Sequence, residues 1–239
     1  CVGYLLHYLI YWLNSFIEQV SSLPYAVTND LQINLPQLVC LYVFIAATAW
    51  WLFQNKKQGV SIALLAILTF CAFHITSVWT ALHQKKLIVY NIPKHSAIDV
   101  MVGKQYMFKG DSALLHDAQL QKFHLQPSRL LHRVNNTNTT GKLRSENNRY
   151  KLGNFSFLLI DQPYNPNNVT PKTPVDIIIL LNNPPLTIPQ LTSVFTCRQF
   201  VFDASNAPWK VARWQQECEQ LGLLGFSVTD RGAFVLNLY

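Results

Sequence analysis

The chain has 239 residues, half of them hydrophobic, with 19 Lys and Arg against 12 Asp and Glu and a net charge of +7. The four charged residues in 1–82 cancel, so the whole excess lies in residues 83–239. This division excludes one soluble domain of even composition, and it predicts a membrane segment, 1–84, followed by a basic soluble domain, 85–239. A basic surface favours an anionic partner, either nucleic acid or acidic lipid headgroups.

The membrane segment contains three apolar stretches. Residues 1–17 predict the end of a spanning helix or a helix lying in the membrane interface. Residues 36–53 and 60–82 carry no charge and are long enough to cross a bilayer, so they predict two transmembrane helices joined by a hairpin turn at 54–59. Lys56 and Lys57 in that turn predict that it is cytoplasmic and that the soluble domain is extracytoplasmic, although Lys85 and Lys86 argue the other way.

The soluble domain begins with a pattern typical of a β-meander, with strands at 87–91, 97–102 and 105–108. Ser112 is the predicted cap of a helix over 113–123, which Pro127 prevents from continuing. Residues 135–148 are rich in Asn and Thr and predict an exposed loop.

Strands are predicted at 150–152 and 155–160, followed by a Pro- and Asn-rich loop at 163–174. Residues 175–185, VDIIILLNNPP, contain a continuous aliphatic run bounded by turn residues, which predicts a buried strand. Its polar end, Asn182 and Asn183, lies where α/β folds place their ligand-binding groups.

The remaining pattern predicts a short helix at 188–195 and a strand at 198–203. Ser205 and Asn206 are predicted to cap a helix that Gly222 ends. Two strands at 226–229 and 233–238 are predicted to close the domain as a hairpin. Strand runs that flank short helices indicate a layered α/β domain.

The most basic stretch is 122–151, in which Glu146 is the single acid. Its basic residues are Lys122, Arg129, Arg133, Lys142, Arg144, Arg149 and Lys151. Such an array binds phosphate backbones with salt-dependent affinity, so these residues are the candidate DNA contacts. The alternative is a solvated loop without a ligand.

The sequence contains no convincing catalytic constellation. It has no HxH, HxxxH or HxD spacing, no Gly-rich phosphate loop and no CxxC pair. His95 and Ser96 are adjacent, and neighbours in a strand point to opposite faces, so they do not form a nucleophile and base. Cys197 and Cys218 are expected to be free thiols. We therefore expect no catalytic residue, no metal and no cofactor.

Several motifs resemble, in order, those of one known family. Residues 91–99, NIPKHSAID, have the shape of a DVGQGDA-like segment, and 175–185 resembles a strand ending in HHGS, with Asn182 and Asn183 in place of the two histidines. Residues 201–214 keep a Ser-Asn pair before a helix, and 229–232 resembles a closing T-D-x-G hairpin. These features resemble the C-terminal part of the ComEC family, the inner-membrane DNA-uptake channels of natural transformation, and most closely its Bacteroidetes versions.

This resemblance implies transmembrane α-helices followed by an α/β metallo-β-lactamase-like domain. The family's HxHxDH metal motif, expected within about 110–140, is absent. Asn is a poor ligand for a catalytic divalent metal, so Asn182 and Asn183 are interpreted as degenerate metal-site positions. The resemblance therefore implies a domain without catalytic metal or enzymatic activity.

The leading hypothesis is a segment of a bacterial inner-membrane channel for uptake of single-stranded DNA. An inactive β-lactamase-like domain outside the cytoplasm would guide the DNA by its basic loop. Single-stranded DNA and the membrane are the expected partners, and other DNA-uptake proteins are candidates. Two alternatives are a membrane-anchored metal-dependent nuclease and a non-catalytic membrane module that binds a protein partner or acidic lipids.

Overall fold

The computed structural model describes residues 2–22, 32–134, 144–146, 148–161 and 173–238. The chain forms two compact units, Cys1–Asn34 and Leu35–Tyr239, and each is described by itself. The first contains α1 (Val2–Ser21), which confirms a helix over the first apolar stretch. Its aromatic side chains are exposed, as Trp12 illustrates with 74 % of its surface accessible.

The second unit begins with a helical hairpin, α2 (Leu35–Gln54) and α3 (Lys57–His83). These helices confirm the predicted helical hairpin. Within the described residues, both are long and apolar enough to cross a membrane, and the crossing itself stays a prediction. Small residues line their contact. A Cβ atom on Gly59 would lie 2.9 Å from the Ala47 carbonyl oxygen and 2.9 Å from the Trp51 Cβ, so this approach requires glycine.

Short strands and helices make up the rest of this unit. The strands are β1 (Lys85–Val89), β2 (Ala97–Val102), β3 (Gln105–Gly110), β4 (Arg144–Glu146), β5 (Arg149–Leu152), β6 (Phe155–Ile160), β7 (Thr173–Pro174), β8 (Ile177–Leu180), β9 (Phe195–Thr196), β10 (Gln199–Phe202), β11 (Leu224–Ser227) and β12 (Phe234–Asn237). The helices are α4 (Ser112–His116), α5 (Ala118–Leu120), a π-helical turn (Gln121–Leu125), α6 (Gln126–Leu131), α7 (Ile188–Val194), α8 (Pro208–Gln220) and α9 (Val228–Arg231).

Two larger sheets organise these strands. One is antiparallel and four-stranded, in the order β12-β1-β2-β3. The other is six-stranded, in the order β11-β10-β8-β6-β5-β4; its strands β11, β10, β8 and β6 run parallel, and β5 and β4 are added antiparallel. The predicted meander and the strands β5, β6, β8 and β10 are confirmed. A short parallel pair, β7 and β9, stands apart.

Strand β8 shows why the aliphatic run is unbroken. Ile177 and Ile179 pack between the two large sheets, whereas Ile178 and Leu180 pack against α7 and α8. All four are at most 2 % exposed, and full burial of each such side chain stabilises the fold by roughly 1.5–3 kcal/mol. The outer face of the four-stranded sheet contacts residues of the α4–α6 region. The layers are therefore helices, four-stranded sheet, six-stranded sheet and helices.

The predicted helix over 113–123 is interrupted and then extended. The Asp117 carboxylate accepts hydrogen bonds from the Gln119 and Leu120 backbone N–H groups at 2.8 and 3.2 Å, so a new helical turn begins there. Asp111, not Ser112, is the residue before α4. Pro127 has no N–H to donate, but the π-helical turn Gln121–Leu125 directly before α6 already interrupts the regular hydrogen-bond ladder, so the prediction that Pro127 ends the helix is wrong.

The predicted closing hairpin is also wrong. Strand β11 is parallel to β10 in the six-stranded sheet, whereas β12 is antiparallel to β1 in the four-stranded sheet, and α9 connects them. The predicted loop 135–148 includes β4, and its residues 135–143 and 147 lie outside the described residues. Of the loop predicted at 163–174, only 173–174 is described, as β7.

Candidate functional site

The two asparagines after β8 have an unusual backbone. Asn182 and Asn183 have φ angles of 54° and 56°, in the left-handed region. Asn adopts this region more readily than most residues because its short polar side chain makes local hydrogen bonds. A tight turn at the carboxyl end of the strand is therefore one physical reason for this pair.

Hydrogen bonds tie this turn to the segment that follows β10. The backbone N–H of Asn182 donates to the Ser205 hydroxyl at 2.7 Å, and that of Asn183 donates to the Asn206 side-chain oxygen at 2.9 Å. The Lys210 ammonium donates to the Asn183 carbonyl oxygen at 3.0 Å. The ends of two neighbouring parallel strands thus form one polar surface.

Asn183 also takes the place predicted for Ser205 and Asn206 at the start of α8. The residue before this helix is Ala207, which has no capping side chain. Its N–H instead donates to the Asn183 side-chain oxygen at 2.6 Å. The predicted cap is therefore wrong: Ser205 and Asn206 hold the β8 turn, and Asn183 satisfies the helix start from across the strands.

Asp203 lies at the centre of this network and is fully buried. Its Oδ1 accepts from the Ser205 hydroxyl at 2.5 Å, the Ser205 N–H at 3.1 Å and the Asn206 amide at 3.0 Å. Its Oδ2 is buried without a hydrogen-bond partner in the described part of the chain. The pKa of Asp203 is raised to about 7: burial is the main cause, the Ser205 hydrogen bonds oppose it, and the negative charge of Asp111 adds a smaller rise. Sequence reasoning missed Asp203, although it lies only two residues before the Ser-Asn pair.

A second polar group adjoins this end of β10. The Asp111 carboxylate accepts from the His95 ring nitrogen Nδ1 at 3.0 Å and from the Ser96 hydroxyl at 3.1 Å. The N–H of Lys94 donates to the Ala204 carbonyl at 3.1 Å, which joins this loop to the Asp203 segment. His95 and Ser96 bind separate oxygens of the same Asp111 carboxylate, so the Ser96 hydroxyl donates to Asp111 and not to the His95 ring.

Metal-ligating side chains do not gather at this edge. In the described ranges, no group of three or more His, Cys, Asp or Glu side chains could hold a metal ion. Cys197 and Cys218 are buried free thiols, as expected. Burial raises the pKa of the Cys218 thiol to about 12, which keeps it protonated and unreactive.

The predicted DNA contacts are dispersed. Lys122 is exposed beside the exposed ring of Phe123. The Arg133 Nε donates to the Ser77 hydroxyl of α3 at 3.1 Å, so Arg133 lies against a candidate membrane helix. Lys142 lies outside the described residues, and Arg144 lies in β4 with its side chain outside them.

Arg129 is placed where it cannot contact DNA. Its Nε and one terminal nitrogen donate to the two Asp99 oxygens at 2.8 and 3.0 Å, and Asp99 is fully buried. Its guanidinium carbon lies 4.0 Å from the centre of the Tyr106 ring. Burial alone lowers the pKa of Arg129, but the hydrogen bonds and charge of Asp99 outweigh it and raise the pKa. The structure thus removes Arg129 from the predicted contacts.

Arg149 and Lys151 do lie together, in a groove of about 370 Å³ that we call the basic groove. Arg198 lines the same groove, and Asp176 is its acidic member. Arg149 donates to the Pro174 carbonyl at 2.8 Å, which orients its guanidinium. The groove lies beside Ser156, Asp176 and Arg198, at the amino ends of β6, β8 and β10, and so at the opposite end of these strands from Asn182. Arg198 was missed because it is an isolated basic residue in the sequence.

The chain was compared with known proteins. No curated protein and no solved structure matches it. The model of the ComEC C-terminal domain matches residues 87–238, which include every strand of the described domain except part of β1. The chain therefore belongs to the ComEC C-terminal domain family, which associates it with DNA uptake in competence and with a membrane.

Proposed function

We propose that this chain is a segment of a bacterial inner-membrane channel for single-stranded DNA, and that its soluble domain contacts the DNA without cleaving it. The observation that carries the proposal is the basic groove of a ComEC C-terminal domain, in which Arg149, Lys151 and Arg198 converge. Three cations against Asp176 favour a phosphate backbone, because each neutralised phosphate releases counterions. Two apolar helices immediately before the domain support a place at a membrane pore.

The layering supports a metallo-β-lactamase-like fold for residues 85–239. Two β-sheets face each other, and helices cover both outer faces. The polar turn after β8 and the Asp203 segment lie at the carboxyl ends of parallel strands, where α/β folds commonly bind ligands. Residues from the motifs 91–99, 175–185 and 201–214 meet at this edge: the Lys94 N–H donates to the Ala204 carbonyl, and the Asn182 N–H donates to the Ser205 hydroxyl.

The residues at this edge do not fit a catalytic metal. The Asn183 side chain is already bound to Ala207 and Ser205, and Asn182 offers only an amide. Asp203 has one oxygen without a partner in the described residues, but a single carboxylate with a raised pKa is a weak ligand by itself. We therefore propose a non-enzymatic role, and we derive no step through a metal.

The orientation proposed for the domain rests on the hairpin turn. Lys56 and Lys57 lie at the junction of α2 and α3, and short loops rich in lysine remain cytoplasmic. The domain after α3 would then be extracytoplasmic, where it can meet incoming DNA before the pore. The test is a reporter enzyme that works only in the cytoplasm, fused after Tyr239. Activity of that reporter would contradict this orientation.

The experiment is binding of a fluorescent oligothymidylate to the full chain in nanodiscs of neutral lipid, at several salt concentrations. Replacing Arg149, Lys151 and Arg198 by Glu should lower the affinity at least tenfold and reduce the magnitude of the salt slope by about 0.7 for each lost phosphate contact. Lys109→Glu, on the exposed edge strand β3, is the matched control for one charge reversal. Unchanged affinity and salt slope in the triple variant would reject the DNA-contact role.

One observation favours acidic lipid as a second partner. At 1.5 Å per residue, the 27 residues of α3 span about 40 Å, against about 30 Å of bilayer core. Ser77 is six residues before the end of α3, so Arg133 would lie near the headgroups. Arg133→Gln should then weaken association of the chain with vesicles that contain acidic lipid. The affinity for oligothymidylate, measured in nanodiscs of neutral lipid, should stay unchanged. The reverse result would return Arg133 to the DNA contacts.

A further inference from the structure

An exposed tryptophan lies beside the polar turn, at the other end of the sheet from the basic groove. Trp209, in the first turn of α8, is 69 % exposed, whereas Trp214 one turn later is 1 % exposed and donates from its ring nitrogen to the Leu186 carbonyl. A groove of about 260 Å³ separates α8 from the segment after β8, and we call it the Trp209 groove. Pro185 and Gln190 line one side, and Trp209, Lys210 and Arg213 line the other.

The charge exposed in this groove is positive. The Lys210 ammonium lies 6.0 Å from the Trp209 ring centre and 5.3 Å from the Trp214 ring centre, and it is held by the Asn183 carbonyl rather than by a carboxylate. Arg213 pairs with Glu217 at 2.9 Å, but the Arg213 side chain is 62 % exposed and the Glu217 side chain only 14 %. The other Glu217 oxygen accepts from the Ile188 N–H at 2.8 Å. The acid thus faces the protein and the cations face the groove.

We propose that the Trp209 groove binds one nucleotide of single-stranded DNA, with the base stacked on Trp209 and the phosphate held by Lys210 and Arg213. An exposed aromatic face next to cations is the combination that single-strand binding proteins use, because every base can stack and every nucleotide carries a phosphate. The inference rests on the proposed DNA role of the domain. It adds a second contact at the carboxyl ends of β8 and β10, separated from the basic groove by the length of those strands.

The hydrogen bonds of Asn183, one of the degenerate metal-site positions, hold the Trp209 groove in shape. The Asn183 carbonyl oxygen accepts from the Lys210 ammonium. The Asn183 side chain accepts from the Ala207 N–H and so fixes the start of α8, the helix that carries Trp209. The network around Asn183 therefore holds an aromatic ring and an ammonium group in a defined relation. It performs a binding role through positioning and needs no bond-breaking chemistry.

The test uses the full chain in nanodiscs of neutral lipid and an oligothymidylate with one central 2-aminopurine, whose fluorescence is quenched by stacking. Trp209→Ala should weaken binding about fivefold or more and remove most of the added quenching, whereas Trp209→Phe should keep most of both. Lys210→Gln with Arg213→Gln should reduce the salt slope and leave the quenching in the remaining complex. Phe123→Ala is the matched control, because Phe123 is 72 % exposed between Lys122 and His124 and lies outside the groove.

The outcomes separate this inference from the proposed function. If reversal of the basic groove weakens binding but Trp209→Ala changes neither affinity nor quenching, the Trp209 groove is not a nucleotide subsite and the DNA role stands. If neither set of variants changes binding, both ideas fail. If Trp209→Ala and Phe123→Ala lower the affinity equally, the loss reflects general surface aromaticity and the inference is overturned.

Discussion

The buried pair of Arg129 and Asp99 gives the sharpest test of how the domain is held together. Arg129→Met removes two charge-assisted hydrogen bonds while keeping an unbranched side chain of similar length. Asp99 is fully buried, and among the described residues its carboxylate would then keep the Tyr90 hydroxyl, which donates to Oδ2 at 2.9 Å. Removing one partner of a buried ion pair destabilises a protein by about 3–5 kcal/mol. Because whole domains are stable by about 5–15 kcal/mol, this single change removes a large share.

The damage should come mainly from the charge left behind. Asp99→Asn in the Arg129→Met background removes that charge and keeps an acceptor for the Tyr90 hydroxyl. The double variant should therefore recover part of the loss, so that the two single costs exceed the double cost by about 2 kcal/mol. Burial is also the first cause that raises the pKa of Tyr90, followed by the negative charge of Asp99, so this hydroxyl remains a donor in both variants.

The assay is denaturant unfolding of the full chain in nanodiscs, followed by near-ultraviolet circular dichroism, together with oligothymidylate binding for every variant that folds. Lys122→Met is the control, because Lys122 is an exposed cation of the same stretch. It should change the free energy of unfolding by less than about 0.5 kcal/mol. If Arg129→Met is equally mild and instead lowers the salt slope of DNA binding, the structural role assigned to Arg129 is refuted.

Two further predictions concern the polar end of the six-stranded sheet. Asp203 has a folded-state pKa raised from 3.8 to about 7, so its contribution to stability is complete below about pH 4 and is lost as the pH rises from there through 7, where the unfolded state ionises first. At about 1.4 kcal/mol per pKa unit, the unfolding free energy should fall by on the order of 3 kcal/mol more between pH 5 and pH 8 in the wild type than in Asp203→Asn, and parallel pH profiles would contradict this. Asn183→Gly keeps the left-handed turn but removes the acceptor of the Ala207 N–H, so chemical denaturation should show a loss of about 0.5–2 kcal/mol, and Asn183→Ala should lose more because φ is 56°. Equal losses in the two Asn183 variants would show that the backbone conformation contributes little.

The elements predicted correctly are those with a local pattern of apolar residues that by itself indicates a helix or a strand. The spans 36–53 and 60–82 lack charge over a full membrane thickness, and 177–180 is apolar on both strand faces because both faces are covered. The strands at 97–102 and 155–160 were predicted to the residue. In each case the hydrophobic surface that drives folding lies within one contiguous segment.

The errors arise where distant segments decide the structure. Strands β11 and β12 are separated by the short helix α9 but belong to different sheets. The residues of α9 contain no sequence signal that distinguishes this arrangement from a hairpin. A hairpin is the ordinary choice for neighbouring strands, but here β12 pairs with β1, more than 140 residues earlier. Likewise, Pro127 is a usual sign of a helix end, but here it follows a π-helical turn that has already interrupted the regular hydrogen-bond ladder.

The candidate site shows the same limit for side chains. Arg129 belongs to a run of basic residues, and only its pairing with Asp99, 30 residues earlier, separates it from Arg149 and Lys151. Arg198 belongs to no run, yet the parallel pairing of β10 with β8 brings it to the basic groove. Net charge in a sequence window predicts how basic a domain is, but the sheet register decides which cations meet.

The junction between α3 and β1 connects a candidate membrane helix to the domain that carries the two proposed DNA contacts. Helix α3 ends at His83 and β1 begins at Lys85, so Gln84 alone separates them. The Gln84 side-chain amide donates to the Gly103 and His132 carbonyls at 3.0 and 2.6 Å, and the Gln84 backbone carbonyl accepts from the Gly103 N–H at 2.8 Å. Gly103 has a φ of 61°, and a Cβ there would lie 3.1 Å from the Leu82 carbonyl, so this contact also requires glycine. Because β1 and β2 lie in the middle of their sheet, any displacement of α3 is imposed on the core that the two sheets share. Because one residue separates α3 from β1, the basic groove and the Trp209 groove are expected to move together with α3 and not independently of it.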